Sequence, residues 1–202
     1  MLASAFSAAL VAAFCVGRVA AHGGVTAYSN GGNFYPGWRA CNTPVGQTTI
    51  GRPYDTFDPI ESVSAPTLAC NNDGNSGPNQ LVATGTWPHD TGPVITYPAK
   101  CPRTTCTGVN ANGLKWFKID EAGLLSGTVN SGTWAAKKMI TDNSTWTSTI
   151  PASAPSGPYL IRHETIALHS MPAQHYPECA ELLITDGGNL EPTPDELVTP
   201  VG

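Results

Sequence analysis

The residues of this chain best suited to chemistry are histidines, and the most unusual is His22. It directly follows residues 1–21, whose apolar stretch at 5–16 has the length of an export-signal core and is too short to span a bilayer. Cleavage after Ala21 leaves small neutral residues at the two positions that signal peptidase reads. We therefore expect a secreted protein whose N-terminal residue is His22. The alternative is a buried first strand or helix that the protein keeps.

An N-terminal histidine offers a metal ion two nitrogen atoms, its α-amine and its ring. The reference pKa of an α-amine is about 8, so a metal can displace its proton at neutral pH. His89 is a second candidate ligand, in a loop between Pro88 and Pro93 that would hold its side chain outward. Taken alone, a loop histidine is more often simply exposed, so His89 gains weight only together with His22.

A third group of polar residues lies further along the chain. In an extended strand alternate side chains share a face, so Gln174 and Tyr176 would face one site and His175 the opposite side. His169 would arrive from the neighbouring strand after a tight connection at 170–173. The plainer interpretation is a set of satisfied polar residues that line a sheet.

Five sequence motifs carry a resemblance to a known family. They are His-Gly-Gly-Val at 22–25, Trp-Pro-His-Asp-Thr-Gly-Pro-Val at 87–94, Leu-Lys-Trp-Phe-Lys-Ile-Asp-Glu-Ala-Gly-Leu at 114–124, Ile-Arg-His-Glu-Thr-Ile-Ala-Leu-His-Ser at 161–170 and Gln-His-Tyr-Pro-Glu-Cys at 174–179. Together they resemble the fungal lytic polysaccharide monooxygenases of auxiliary activity family nine. The resemblance covers most of the chain after residue 21.

This resemblance implies one copper ion held by the amine and ring of His22 and by the ring of His89. Planar nitrogen ligation of this kind suits Cu(II). Tyr176 would take the axial position, while His169 and Gln174 would hydrogen-bond an oxygen species at the metal. His169, Gln174 and Tyr176 are thus the residues that the resemblance assigns to catalysis.

The implied reaction is oxidative cleavage of cellulose or a related β-1,4-glucan at C1 or C4. It would use O2 or H2O2 and an external electron donor, either a small reductant or a redox protein. No pair of acid and base carboxyl groups, as in a glycoside hydrolase, is needed. We expect a monomer that acts outside the cell.

One departure from the family pattern leaves a rival function open. Between Cys70 and His89 the chain is shorter than its relatives by about one strand and its turn. If the shortening displaces His89, the protein would be a secreted copper- or glucan-binding protein without turnover. A zinc hydrolase is a weaker alternative, because no His-Glu-x-x-His motif accompanies the candidate ligands.

Composition indicates an all-β protein that does not bind nucleic acid. Without residues 1–21 the chain has 181 residues, enough for one domain, and its net charge moves from −5 to −6. Gly, Pro, Ser and Thr are abundant, charged residues are scarce, and no long helical periodicity is present. Strands are predicted at 25–28, 80–84, 92–97, 114–119, 144–150, 159–169 and 180–185. This pattern favours an immunoglobulin-like or fibronectin-III-like antiparallel β-sandwich with long loops, in which the shortening before His89 can remove one strand.

The predicted sandwich domain spans 22–186 and is followed by a Pro-rich, acidic tail at 187–202. We expect no association of the protein with a membrane. Asn143 begins an Asn-Ser-Thr sequon for N-glycosylation, although such triplets are often unused.

Five cysteines remain after removal of the leader at residues 1–21, and an exported chain should form disulfides. Cys101 and Cys106 enclose a short segment and can pin a loop, and Cys70 and Cys179 can then join an early loop to the last strands. Cys41 is unpaired in this scheme. The sequence leaves other pairings open, although the family resemblance implies the same two disulfides.

Overall fold

The computed structural model describes residues 23–40, 47–54, 56–71 and 87–200. The leader, His22, Cys41 and the strand predicted at 80–84 lie outside these residues. In chain order the elements are β1 (Ala27–Asn30), β2 (Asn33–Pro36), β3 (Val94–Lys100), a 3-10 turn (Ala111–Gly113), β4 (Trp116–Phe117), β5 (Asp120–Ala122), β6 (Leu124–Ser126), β7 (Thr133–Trp134), α1 (Ala135–Thr141), β8 (Gly157–Ala167), β9 (Gln174–Ile184), a 3-10 turn (Pro194–Glu196) and β10 (Leu197–Val198).

The main sheet has four strands in the order β5-β3-β8-β9. Three two-stranded sheets, β1-β2, β4-β10 and β6-β7, surround it, and all the strand ladders are antiparallel. The predicted all-β antiparallel architecture is therefore confirmed.

The longest ladder joins β8 to β9 through eleven residue pairs, from Gly157 opposite Ile184 to Ala167 opposite Gln174. Strand β8 lies between β3 and β9, so both of its edges are paired. Its buried residues do not strictly alternate, because hydrophobic clusters pack against both faces of the sheet. The register places Thr165 opposite Tyr176, and this pairing determines which β9 side chains share a face.

Two hydrophobic clusters cover the two faces of this sheet. We call the first the disulfide face, where Ala99, Leu160 and Cys179 pack with the fully buried Trp116. The second is the helix face, where Val94 packs with residues of α1 including Met139. Helix α1 is only seven residues long, so the sequence offers too few turns for its periodicity to be recognised.

The structure contains both disulfides that the cysteine spacing suggested. Cys70 bonds to Cys179 and so ties the segment before residue 71 to β9 across 109 residues. Cys101 bonds to Cys106 and closes a short loop directly after β3.

The strand predicted at 144–150 is wrong, because this segment pairs with no strand in the described part of the chain. Trp146 and Ser148 face the sheet and both donate hydrogen bonds to Asp120 Oδ2, at 2.8 and 2.7 Å. Thr147 between them and the flanking Thr145 and Thr149 are exposed. Side-chain contacts with the sheet thus produce the alternation of buried and exposed residues that is typical of a strand, although the backbone of this segment pairs with no strand in the described part of the chain.

Most other predicted strands have counterparts with shifted ends. The predictions at 25–28, 92–97, 159–169 and 180–185 overlap β1, β3, β8 and β9, and the one at 114–119 contains β4. Strand β9 begins six residues earlier than predicted, because Gln174 to Cys179 continue the ladder with β8.

The C-terminal segment returns to the body of the protein. Strand β10 pairs with β4, and Gly188 forms an isolated bridge with Pro155. Among the described residues no helix has the length and apolar character needed to cross a membrane.

Loss of the long disulfide should destabilise the protein more than loss of the short one. The loop-entropy relation gives a contribution of about 5 kcal/mol for a loop of the Cys70–Cys179 length and about 2 kcal/mol for one of the Cys101–Cys106 length. Urea unfolding of the double variants C70A/C179A and C101A/C106A measures both. Equal losses would contradict the expectation.

Candidate functional site

His89 lies against Tyr176 at one end of the helix face. The ring Nε2 of His89 is 3.1 Å from the Tyr176 hydroxyl oxygen. The His89 ring also stacks on the ring of His169, with centroids 4.4 Å apart and planes inclined by 12°. The shortening before His89 has therefore not separated this histidine from Tyr176 and His169.

The loop that carries His89 is held against the end of β8. Backbone amides of Ile166 and Leu168 donate to the carbonyls of Pro93 and Thr91, at 3.2 and 2.9 Å. Gly92 has a φ of 148°, and a Cβ there would overlap the carbonyl oxygen of Ile166. Only glycine allows this close approach, and the approach brings His89 and His169 together.

Further contacts fix the other side of the same loop. The Ala136 amide at the start of α1 donates to the Gly92 carbonyl at 3.2 Å. The Trp87 amide donates to Ser144 Oγ at 3.3 Å. Helix α1 and the turn after it therefore also hold this loop in place through hydrogen bonds.

Tyr176 is almost fully buried in β9, and its hydroxyl donates to Gln174 Oε1 at 2.9 Å. The two side chains share a face, as alternation along the strand predicted. Burial raises the pKa of the Tyr176 hydroxyl well above its ordinary value, and the carboxylates of Asp58 and Glu61 add to this effect. Tyr176 is therefore neutral at physiological pH, with its proton directed toward Gln174.

Trp87 completes the cluster, although sequence reasoning did not single it out as a site residue. Its ring makes edge contacts with His89 and Tyr176, with centroids 5.3 and 4.9 Å away. A Cβ built on Gly23 would lie 3.5 Å from Trp87 Cε3, so the backbone at Gly23 packs against the same indole. Its place in the motif at 87–94 was the only signal in the sequence.

His175 is turned to the disulfide face. Its Nδ1 is 2.9 Å from Glu164 Oε1, and Arg162 Nη1 donates to Glu164 Oε2 at 2.7 Å. Burial opposes ionisation of Glu164, but the hydrogen bond from His175 and the charge and hydrogen bond of Arg162 outweigh it, so the pKa of Glu164 lies below its usual value. Arg162 also donates to the carbonyls of Leu68 and Ala69, beside the Cys70–Cys179 disulfide.

Two ionisable residues face each other across the β8–β9 ladder on the helix face. Burial raises the pKa of Glu178 to about 8, although hydrogen bonds from the Val25 amide and Tyr54 partly offset it. Burial lowers the pKa of its partner His163 to about 4. Both side chains are therefore uncharged near pH 6.

The donor set at this site fits a nitrogen-ligated metal only in part. No group of three or more His, Cys, Asp or Glu that could hold a metal ion is found among residues 23–40, 47–54, 56–71 and 87–200. His89 supplies one ring nitrogen beside a neutral tyrosine oxygen, so a centre with three nitrogen ligands would need at least one from a residue outside these ranges. His22 is covalently bonded to Gly23, which contacts the same cluster through Trp87.

Comparison with known families gives a match over nearly the whole chain. Residues 22–201 match Auxiliary Activity family 9, formerly GH61. Over 194 residues the chain is 61% identical to the AA9 family lytic polysaccharide monooxygenase-like protein CEL1 of Agaricus bisporus, covering 90% of this chain and 61% of that protein. It is 43% identical to the AA9 family lytic polysaccharide monooxygenase B of Heterobasidion irregulare, covering 90% and 79%.

Solved structures share the fold. The crystal structure of HiLPMO9B superposes with a TM-score of 0.81 at 42% identity, covering 89% of this chain and 86% of the other. A cellulose-active polysaccharide monooxygenase from M. thermophila gives 0.73 at 32% identity with the same coverages. The predicted antiparallel β-sandwich is thereby confirmed.

Neutral burial of His163 should make the protein acid-sensitive. Its folded pKa of about 4 lies below the value of 6.5 for an unperturbed histidine. The unfolded chain therefore takes up the proton first, and stability falls as pH drops from 6.5 toward 4. The variant H163Q should lose less unfolding free energy over this range, as measured by urea titration at several pH values. A wild-type pH dependence in H163Q would contradict the assignment.

Proposed function

This chain belongs to Auxiliary Activity family 9, and from that membership we propose that it is a secreted, copper-dependent monooxygenase that cleaves polysaccharide chains oxidatively. The chain spans about three fifths of the length of the Agaricus bisporus relative. The activity is therefore proposed for the matched domain alone and not for the full length of that relative.

The observation that carries the proposal is the meeting of two distant segments at Tyr176. The loop at 87–93 brings His89 Nε2 to 3.1 Å from the Tyr176 hydroxyl oxygen, and Gly23 packs on Trp87 beside them. His22 is bonded to Gly23 and consecutive Cα atoms are about 3.8 Å apart, so a ligand role for His22 is compatible with the position of Gly23. We propose that removal of residues 1–21 frees the His22 amine as a ligand together with its ring and that of His89.

The remaining residues would hold this centre in shape. Tyr176, kept neutral by burial, presents an oxygen on the protein side, and Gln174 orients its proton. His169, exposed and stacked on His89, would donate a hydrogen bond to an oxygen species at the metal on the solvent side. Copper bound here would supply the one-electron redox chemistry that activates O2 or H2O2, with electrons from an external donor.

The substrate that we propose is cellulose or a related β-1,4-glucan, oxidised at C1, at C4 or at both. The site lies at the protein surface, since His169, Asp90 and Met171 around it are exposed. A surface site suits a polymer that does not enter a pocket. The related M. thermophila enzyme is cellulose-active by its title.

The decisive experiment uses the protein that begins at His22. We expect it to bind one Cu(II) and, with ascorbate and cellulose, to release oxidised oligosaccharides that mass spectrometry detects. A matched form with one additional Gly before His22 has no free amine on that histidine, and H89A lacks the second ring. Both should lose copper affinity by more than the roughly 10- to 100-fold typical for a residue that only orients a ligand.

The outcomes separate the two functions considered. Copper binding without oxidised products would indicate a copper-binding protein without turnover. Equal copper affinity with and without the additional Gly would refute the proposed role of the N-terminus.

We also propose that Asn143 carries an N-linked glycan. It is exposed in the turn after α1, with a φ of 60°, and the sequon hydroxyl of Thr145 lies at 3.3 Å from the Asn143 carbonyl. Treatment of protein secreted by a fungal host with an N-glycosidase should reduce its mass, and N143Q should show no such change. An unchanged mass for the wild-type protein would contradict the assignment.

A further inference from the structure

We propose that Glu178 is a positioning residue that anchors the segment leading to His22 and thereby sets where the His22 nitrogens meet His89. The inference rests on the function proposed above. It concerns a residue whose carboxyl group binds the Val25 amide and the Tyr54 hydroxyl.

The carboxyl group of Glu178 binds the backbone of the N-terminal segment directly. The Val25 amide donates to Glu178 Oε2 at 2.6 Å, and the Tyr54 hydroxyl hydrogen-bonds to the same carboxyl group. Glu178 is only 5% exposed, and a carboxyl group in the interior is costly unless it is hydrogen-bonded, as this one is. An apolar residue at 178 would leave the partly buried Val25 amide without that acceptor.

Steric contact restricts the same segment. A Cβ on Gly24 would overlap both the Tyr54 hydroxyl and Glu178 Oε1, so the backbone passes immediately over the carboxyl group. On its other side the Gly37 amide donates to the Thr26 carbonyl at 3.0 Å. The chain at 24–26 is therefore held from two sides.

The spacing along β9 links this anchor to the candidate site. Glu178 and Tyr176 lie on the same face of β9, about 7 Å apart at the usual rise of a strand. Val25 is bound at Glu178, and Gly23 contacts Trp87, which touches Tyr176. The segment therefore runs along β9 from Glu178 toward Tyr176, so a shift at Val25 would displace Gly23, the residue bonded to His22.

Glu164 provides a matched control for a purely structural role. It is equally buried, at 5% exposure, and belongs to the same pair of strands, but it faces the disulfide face with Arg162 and His175. Loss of its charge should affect stability without moving the N-terminal segment.

The experiment compares E178L, E178Q and E164Q, each beginning at His22 and loaded with Cu(II). Calorimetry gives the copper Kd, and electron paramagnetic resonance reports the geometry of the nitrogen ligands. For E178L we expect a Kd higher by about 10- to 100-fold, the range found when a residue that orients a ligand is lost, together with an altered spectrum. E178Q keeps an acceptor for the Val25 amide, so its spectrum should match that of the wild-type protein. E164Q should also show the wild-type spectrum.

Each outcome decides the matter. Wild-type affinity and spectrum in E178L would overturn the inference and leave the proposed function intact, as would equal perturbation in E178L and E164Q. Absence of copper binding by the wild-type protein would overturn both. If E178L does not fold, E178D replaces it, because the shorter side chain withdraws the carboxyl group from Val25 and should give a smaller change in the same direction.

Discussion

The register of the β8–β9 ladder is the constraint on which the candidate site depends. It places Tyr176 and Glu178 on the helix face and His175 on the disulfide face. A slip of one residue would exchange the two faces and remove Tyr176 from His89. The Arg162–Glu164–His175 network and the Cys70–Cys179 bond act on the disulfide face of the same strands. Contacts remote from the candidate ligands therefore determine where those ligands lie.

The site itself is built by bringing two loosely structured segments to this rigid pair of strands. The loop at 87–93 is fastened to β8 by backbone hydrogen bonds, and the chain at 23–26 is fastened to β9 through Glu178. Neither segment forms a strand there, so each depends on individual hydrogen bonds and on glycine at the points of closest approach. The groups beneath them, including Tyr176 and Glu178, are largely uncharged near neutral pH because they are buried. A metal centre at this place would thus be supported by neutral polar groups.

Much of the fold was predictable because local patterns carried it. Abundant turn residues and short apolar runs indicated an antiparallel β-protein, and alternation along β9 predicted that Gln174 and Tyr176 share a face. The prediction failed at 144–150, where side chains bound to Asp120 imitate the alternation of a strand. It also missed α1, which is too short for a periodic signal.

The sequence by itself determined the family motifs, the spacing of the cysteines and the parity of the β9 side chains, since these depend on residue identity and on separation along the chain. Only the tertiary structure decided that Trp87 fills the space between Gly23, His89 and Tyr176, and that Glu178 with Tyr54 holds the N-terminal segment. These contacts join residues up to 153 positions apart. Their geometry arises from the packing of the sheet, and no local pattern encodes it.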